Sequence, residues 1–335
     1  MNLEDKIKIV ENILKDKKVA IGFSGGADST LLTYLSSKFA KDTLAITIDN
    51  NLFSTGFVEN TKKACKTFGV THKIIGMDFW KESEILLNNQ RRCFNCRNLM
   101  YTTIEKIARE NGYEFICDGN NISDLIQDRP GILITYEKGF KTPFIDAKLS
   151  SKEIHEYLDK NNIPYSKSTT CLATRIPAGT QVTREEIRKI RNSEDYILEN
   201  TDCKIVKVRS FKETGIVEVD EINEILTDNK FKQINDNLKA QGFGKVCLNL
   251  TEIDDNEYIR LDYTQGSFSY ELPYTTNLDE TRKQMENINS YDEYKIQTDN
   301  ITIYENGIIE GNDFKNYETA LDAFMNILSK LRRNI

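Results

Sequence analysis

Residues 18–29, KVAIGFSGGADS, decide the fold of this chain. The apolar residues 18–23 predict a buried strand, and residues 29–39 predict a helix that follows the turn. Two glycines let the backbone of the turn approach a ligand closely, and the helix N-terminus offers free N–H groups to an anion. A strand, a glycine-rich turn and a helix in this order therefore predict a phosphate-binding loop.

The side chains of this phosphate loop (residues 24–29) indicate how it would hold its ligand. Ser24 and Ser29 add hydroxyl donors, whereas Asp28 would repel a bare phosphate. We therefore expect Asp28 to hold Mg²⁺ that bridges phosphate oxygens. The loop lacks the lysine of the G-x-x-x-x-G-K-[ST] string, so it is not a Walker loop. A purely structural turn is the competing interpretation, and the complete string SGGADS after the first strand favours the functional one.

Strands and helices alternate through the first half of the chain. Further strands are predicted at residues 43–48, 73–75 and 113–117, and helices at residues 55–68 and 97–111. Strands separated by helices of this length predict a parallel sheet of the α/β class. Phosphate ligands of such sheets bind at the carboxyl ends of the strands.

The pattern changes after Pro164. Residues 165–180 are rich in Ser, Thr and Pro and predict a loop, and a helix is expected at 183–198. Thr183 can cap that helix, with Glu186 as its capping-box partner. The later predictions are strands at 204–209, 216–219 and 245–250, a helix at 231–240, hairpins at 258–274 and about Asn306-Gly307, a helix between these hairpins, and a last helix at 317–332.

Length and charge limit the classes of function. A chain of 335 residues is too long for one ordinary core. We expect a nucleotide domain at 1–165, a small α+β substrate or oligomerisation domain at 166–250, and an α+β extension of unknown role at 251–335. The net charge of −7 disfavours a large RNA partner and suits a small anionic substrate. The N-terminus lacks the apolar stretch of a signal peptide, so we expect a cytoplasmic protein, and no apolar run could cross a membrane.

Three of the seven cysteines lie in positions typical of reactive or metal-binding thiols. Cys93 and Cys96 form a C-x-x-C at the start of a helix, where a thiolate is stabilised. Cys171 lies in the Ser/Thr-rich loop, where Arg175 can lower its pKa or bind an anion. Three cysteines can hold a [4Fe-4S] cluster with one open iron, while half a zinc site and a redox pair are the alternatives. Buried structural thiols are the expectation for Cys65, Cys117, Cys203 and Cys247.

An ordered series of motifs resembles the LarE sulfur transferases of the PP-loop ATP pyrophosphatase superfamily. The C-L-A-x-R-x-P string at residues 171–177 is the most specific member of the series. The others are residues 24–29, 92–97, 118–121 with Asp124, 129–131, 142–144, 149–154 and 207–209. Together they cover about residues 1–250, and the resemblance implies an adenine nucleotide alpha hydrolase-like fold for the first domain.

The resemblance implies a reaction. Members of the family cleave ATP to AMP and pyrophosphate, adenylylate a carboxylate of a pyridinium dicarboxylate mononucleotide, and convert it to a thiocarboxylate for the nickel-pincer nucleotide cofactor of lactate racemase. In one branch the cysteine at the position of Cys171 gives up its own sulfur. In the other, three cysteines hold a [4Fe-4S] cluster that carries a sulfide from an external source. This chain, with Cys93 and Cys96, is similar to the second branch.

The resemblance also assigns roles to residues. Thr174 stands where the family has serine, and Lys207 stands where arginine is common. A tRNA thiolation enzyme and a zinc-stabilised nucleotide-binding module are the competing functions, and we also expect a homo-oligomer. The implied roles are catalysis by Cys171, Asp28 and Arg175; ATP binding by Ser24, Gly25, Gly26, Asp28, Ser29, Asn120, Asp124 and Arg129; substrate phosphate binding by Arg175, Lys207 and Arg209; and cluster ligation by Cys93, Cys96 and Cys171.

Overall fold

A computed structural model describes residues 1–167, 170–227, 229–253 and 259–334. The helices are α1 Leu3–Leu14, α2 Ala27–Phe39, α3 Phe57–Phe68, α4 Ser83–Leu86, α5 Arg92–Glu110, α6 Ile132–Glu137, α7 Pro143–Asp146, α8 Ser151–Lys160, α9 Arg184–Asn200, α10 Asn223–Leu226, α11 Lys230–Ala240, α12 Leu278–Arg282 and α13 Tyr317–Leu328. The strands are β1 Lys18–Gly22, β2 Asp42–Asp49, β3 Thr71–Gly76, β4 Phe115–Cys117, β5 Val206–Phe211, β6 Thr214–Val219, β7 Lys245–Leu248, β8 Asp262–Thr264, β9 Ser267–Glu271, β10 Ser290–Tyr291, β11 Lys295–Gln297, β12 Ile301–Tyr304 and β13 Ile308–Gly311.

The first sheet is parallel, with strand order β3-β2-β1-β4. The predicted α/β class is therefore confirmed. Helices α1, α2 and α8 cover one face, where Leu14, Leu31 and Leu158 are fully buried. Helix α5 covers the other through Ile104 and Ala108. Burial on both faces explains why the strands read as nearly continuous apolar runs.

Helix α5 begins five residues before the predicted start, so Cys93 and Cys96 lie on the helix itself. The predicted boundary was wrong because packing decides it. Cys96, Leu99 and Met100 follow helical spacing and pack against one apolar cluster that also contains Leu172.

The second sheet has the order β5-β6-β7 and packs against α9 and α11. Strand β5 begins two residues after the predicted start. The backbone N–H groups of Lys204 and Ile205 donate to the Asp220 carboxylate, so a side chain takes the place of a strand partner. Thr183 caps α9 as predicted. The Glu186 carboxylate, expected to complete a capping box, instead accepts from Ser210 and pairs with Lys189.

The third sheet is antiparallel, with strand order β10-β11-β12-β13-β9-β8. The hairpin about Asn306-Gly307 is confirmed as β12–β13. The hairpin predicted at 258–274 is formed by β8 and β9, and Tyr258 lies outside the described residues. Helix α13 ends four residues before the predicted end, because the chain then bridges Arg333 to Thr276. The domain boundaries at residues 165 and 250 stay a prediction. In the described part of the chain no helix has both the length and the apolar character needed to span a bilayer.

Candidate functional site

A cleft of about 920 Å³ extends from the phosphate loop to the cysteines and on to the second sheet. It opens beyond the carboxyl ends of β1 and β4, as expected for a parallel sheet. Gly25, Arg175 and Arg209 are predicted site residues that do not line it. Those that do are Ser24, Gly26, Asp28, Ser29, Cys93, Cys96, Asn120, Asp124, Arg129, Cys171 and Lys207.

The phosphate loop owes its shape to one glycine and two hydroxyls. Gly25 has a φ of +77°, a left-handed conformation that disfavours other residues. The Ser24 N–H donates to Ser29 Oγ at 3.2 Å, and Ser29 Oγ donates to the Gly26 carbonyl at 3.2 Å. Helix α2 starts directly after Gly26, so its N-terminal N–H groups point into the cleft region where an anion would bind.

Two carboxylates, Asp28 and Asp124, lie beside the loop. Asn121 links them, because its side-chain Nδ2 donates to Asp28 Oδ1 and its backbone N–H donates to Asp124 Oδ2, both at 2.9 Å. Arg129 pairs with Asp124 Oδ1 at 2.5 Å. Burial, and secondly the Asp124 charge, raise the pKa of Asp28 to about 7. A pair of carboxylates facing a phosphate loop is a donor set that suits Mg²⁺.

Asn120 belongs to a buried polar network. Its Nδ2 donates to Asp118 Oδ2 at 2.8 Å, and Arg97 donates to Asp118 Oδ2 and to Asn120 Oδ1, each at 3.0 Å. Thr135 and Tyr101 donate to the same Asp118 oxygen. Through its contacts with Asp118 and Arg97, the Asn120 side chain therefore links the turn that follows β4 to helix α5. Gly119 in this turn is close to Asp28, since a Cβ there would lie 3.0 Å from the Asp28 carbonyl carbon.

The three cysteines line one wall of the cleft. Cys93 is exposed, whereas Cys96 and Cys171 are half-buried in the same apolar cluster. Arg92 joins the two segments, because it donates to Cys93 Sγ at 3.4 Å and to the Ala173 carbonyl at 2.8 Å.

Lowered thiol pKa values were expected for Cys96 and Cys171 and are not found. Burial raises the pKa of Cys96, and the neighbouring Cys171 and Cys93 raise it further. Burial also raises the pKa of Cys171, because Arg92 and Arg175 only partly offset the loss of solvent. Within the described ranges, no set of three or more His, Cys, Asp or Glu residues stands ready to hold a metal ion. Of the other cysteines, Cys65, Cys117 and Cys203 are buried as predicted, while Cys247 is only half-buried.

Arg175 does not offer its guanidinium to the cleft, contrary to the expected direct contact with an anion. It is 3% exposed, and its Nε donates to Glu194 Oε1 at 2.7 Å. Its Nη1 donates to the hydroxyls of Thr170 and Thr174 at 2.7 and 2.8 Å. The Thr174 hydroxyl also donates to the Cys171 carbonyl. Threonine and serine hydroxyls have the same donor and acceptor capacity, so threonine in place of the family's serine keeps these hydrogen bonds in the loop.

Lys207 and Arg209 share one face of β5, as alternation predicts, but differ in surroundings. Lys207 lines the cleft. Arg209 is partly exposed and pairs with Glu218 Oε2 at 2.8 Å. Its guanidinium also donates to the Thr174 carbonyl at 3.3 Å, so it touches the loop that carries Cys171.

Comparisons with known proteins indicate the family. Residues 1–130 match a family described as a PP-loop domain. The chain is 32% identical to an uncharacterised protein of Methanocaldococcus jannaschii, over 74% of this chain and 96% of that protein. It is 25% identical to the pyridinium-3,5-bisthiocarboxylic acid mononucleotide synthase of Lactiplantibacillus plantarum, over 71% of this chain and 87% of that enzyme.

The chain belongs to the LarE family. It is an ATP-dependent sulfur transferase with a PP-loop domain. A tRNA-specific 2-thiouridylase of Fusobacterium nucleatum is also similar, at 23% identity over 78% of this chain and 74% of that enzyme.

Sequence reasoning missed two residues that line the cleft of this LarE-family protein. Lys167 is exposed and lines the cleft, and its neighbour Ser166 donates a backbone N–H to the Gly25 carbonyl at 2.9 Å. His155 also lines the cleft, stacked on Tyr165 with ring centroids 5.4 Å apart. It also missed Glu194, which lies outside the cleft lining and is buried against Arg175. The missing Walker lysine was the one signal that could have prompted a search for a distant cation such as Lys167.

Proposed function

We propose that this chain uses ATP to adenylylate a carboxylate of a pyridinium dicarboxylate mononucleotide and then converts that carboxylate to a thiocarboxylate for nickel-pincer nucleotide cofactor synthesis. The observation that supports this is the single cleft, which joins the phosphate loop, Cys171 and Lys207. The name of the Lactiplantibacillus plantarum relative supplies the substrate class.

The first step joins the carboxylate to AMP. A carboxylate oxygen attacks the α-phosphorus of ATP, the bond to the β-phosphate breaks, and pyrophosphate leaves. The phosphate loop and the start of α2 hold the phosphates, and Asp28 with Asp124 would hold Mg²⁺, which offsets their charge. Lys167 lines the cleft next to Ser166, whose N–H bonds the Gly25 carbonyl, and would supply the cation that a Walker lysine otherwise provides. Lys207, which lines the cleft, binds the phosphate of the mononucleotide, and Arg209 on the same face of β5 joins it once its pair with Glu218 opens.

The second step replaces the adenylate by sulfur. A sulfur nucleophile attacks the carbonyl carbon of the acyl adenylate, and AMP leaves with the electrons of the broken C–O bond. Cys93, Cys96 and Cys171 line the same cleft, and three thiolates are the ligand number of a cluster with one open iron, so these residues would hold [4Fe-4S] after moving closer together. When bound, such a cluster supplies sulfide from an external source. The chain's own residues orient the acyl adenylate towards this wall and, through Arg92, hold the two cysteine segments together.

The alternative sulfur source is Cys171 itself. Its thiolate would form a thioester, and elimination across Cα–Cβ would then leave dehydroalanine and release the thiocarboxylate. We favour the cluster, because Cys93 and its contact with Arg92 have no use in the sacrificial route.

The two routes are distinguished by purifying the protein anaerobically and measuring its iron and sulfide content together with its activity. We expect AMP and pyrophosphate in equal amounts, and Cys93→Ala or Cys171→Ala should lose bound iron together with activity. Cys247→Ala, in β7, is the matched control and should keep both. Dehydroalanine at position 171, with full activity in Cys93→Ala, would refute the cluster. Release of ADP would refute the adenylylation itself.

Thiolation of tRNA is the competing activity, and the similarity to the thiouridylase supports it. A net charge of −7 argues against it, because phosphate contacts dominate RNA affinity. Bulk tRNA offered as acceptor in the same assay should therefore receive no sulfur. The homo-oligomer and the cytoplasmic location stay predictions.

A further inference from the structure

The C-terminal unit (residues 259–334) packs directly on the segment that follows β4. Ile122, Leu125 and Ile132 belong to the same buried cluster as Phe324 and Leu328 of α13. Burying this much aliphatic and aromatic surface stabilises the contact. The C-terminal unit and the segment at 122–132 therefore share one core.

That segment carries the ATP-site residues Asp124 and Arg129. It forms only a short 3₁₀ turn, Ile122–Ile126, before an irregular stretch. Arg129 is 47% exposed on its side chain, pairs with Asp124, and donates to Gln127 Oε1 in the same irregular stretch. Little regular structure of its own holds this part of the site, so neighbouring contacts must hold it.

Two polar contacts from the C-terminal unit reach the residues next to Asp124 and Arg129. The Tyr274 hydroxyl donates to the carbonyl of Leu125, directly after Asp124. The Arg333 guanidinium pairs with Asp128 Oδ1 at 2.6 Å, directly before Arg129. Tyr274 and Arg333 also support each other, because the guanidinium lies 4.5 Å from the ring centroid.

A small cavity of about 10 Å³ marks the junction. Asp124 and Arg129 line it from the nucleotide side, and Tyr274 and Arg333 line it from the C-terminal unit. The two groups of residues are thus separated by no more than a water-sized gap. The Arg333 side chain is only 10% exposed, so its guanidinium is held against the C-terminal unit, while the Asp128 side chain is 64% exposed.

We propose that Arg333 and Tyr274 are positioning residues for ATP, which makes the C-terminal unit part of the nucleotide site. They hold the backbone on both sides of the Asp124–Arg129 pair, so that Asp124 stays beside Asp28 and the phosphate loop. The inference rests on the proposed function only in taking the cleft as an ATP site. It does not depend on the acceptor or on the sulfur source.

The test compares Arg333→Ala with Asp322→Ala in the full chain. Asp322 pairs with Lys148 at 2.7 Å, so it forms an ion pair of similar length and exposure between the C-terminal unit and the first domain that involves none of residues 124–129. Arg333→Ala should raise the Kd and the KM for MgATP by roughly fivefold or more and leave kcat at saturating ATP unchanged. Asp322→Ala should change either constant by less than about twofold. Arg333→Lys should restore most of the affinity.

Other outcomes decide against the inference. An unchanged Kd in folded Arg333→Ala, or an equal loss in Asp322→Ala, overturns it. If Arg333→Ala does not fold, Tyr274→Phe replaces it, because this variant removes only the hydroxyl that bonds Leu125; an unchanged Kd there also overturns the proposal. A wild-type chain that binds no MgATP would instead refute the proposed function.

Discussion

Replacing Glu194 by alanine should strongly destabilise the loop that carries Cys171. Arg175 and Glu194 form a buried ion pair with side chains 3% and 5% exposed. Glu194 Oε1 also accepts the backbone N–H of Val208 in β5, at 2.9 Å. The carboxylate thus joins the cysteine loop to the second sheet, and its loss leaves a buried guanidinium without a counter-charge.

The expected magnitude follows from these contacts. Breaking a buried ion pair by removing one partner costs about 3–5 kcal/mol. The Val208 N–H, left without an acceptor, adds about 1–3 kcal/mol, although the two terms overlap. We expect a loss of about 4 kcal/mol in the free energy of unfolding. Adding Arg175→Met should recover more than about 1 kcal/mol, because the uncompensated charge is then gone.

The pair between Arg209 and Glu218 is the matched control. Its Nε–Oε2 distance is 2.8 Å, against 2.7 Å in the buried pair, but the Arg209 side chain is 44% exposed. Water can solvate the Arg209 charge when its partner is removed, so Glu218→Ala should lower the free energy of unfolding by only about 0–1 kcal/mol. The two ion pairs have the same chemistry and nearly the same distance, and they differ in burial and in the Val208 N–H that Glu194 also accepts.

Urea unfolding followed by tryptophan fluorescence measures both effects. Trp80 is the single tryptophan, and it packs against the cluster that holds Leu172 and Ala173. Its emission therefore reports on the unit in question. Equal shifts of the urea midpoint in Glu194→Ala and Glu218→Ala would refute the assignment of Glu194 as the buried link.

Two further predictions concern ATP. Gly119→Ala should raise the Kd for MgATP, measured by calorimetry, roughly tenfold. The new Cβ would lie 3.0 Å from backbone atoms of Asp28 and Ser29 and would displace the phosphate loop. Gly76→Ala is the control and should bind MgATP normally, because its new Cβ would have no atom within 4 Å. Lys167→Ala should lose about 1.5–3 kcal/mol of ATP binding, a rise of tenfold or more in KM, if its ammonium contacts the phosphates. A pyrophosphate-release assay that finds the KM unchanged would remove Lys167 from the site.

The local signals in the sequence predicted the first sheet and its phosphate loop. Apolar runs of strand length, helices of matching length between them, and the string SGGADS are all short-range features. Their physical basis is local too, since side-chain period and backbone freedom act over a few residues. For the same reason, Lys207 and Arg209 could be assigned to one face of β5 before their partners were known.

Only the tertiary structure decided which of these groups remain available to a ligand. Arg175 follows Cys171 closely in sequence, yet its partner Glu194 lies 19 residues further on, on α9. The start of α5 and the burial of Cys96 likewise depend on packing between distant segments. Nothing local to Arg333 indicates that it would meet Asp128, 205 residues away. Ion pairs and buried contacts of this kind need two chain segments to meet, and a period read along one segment carries no information about the other.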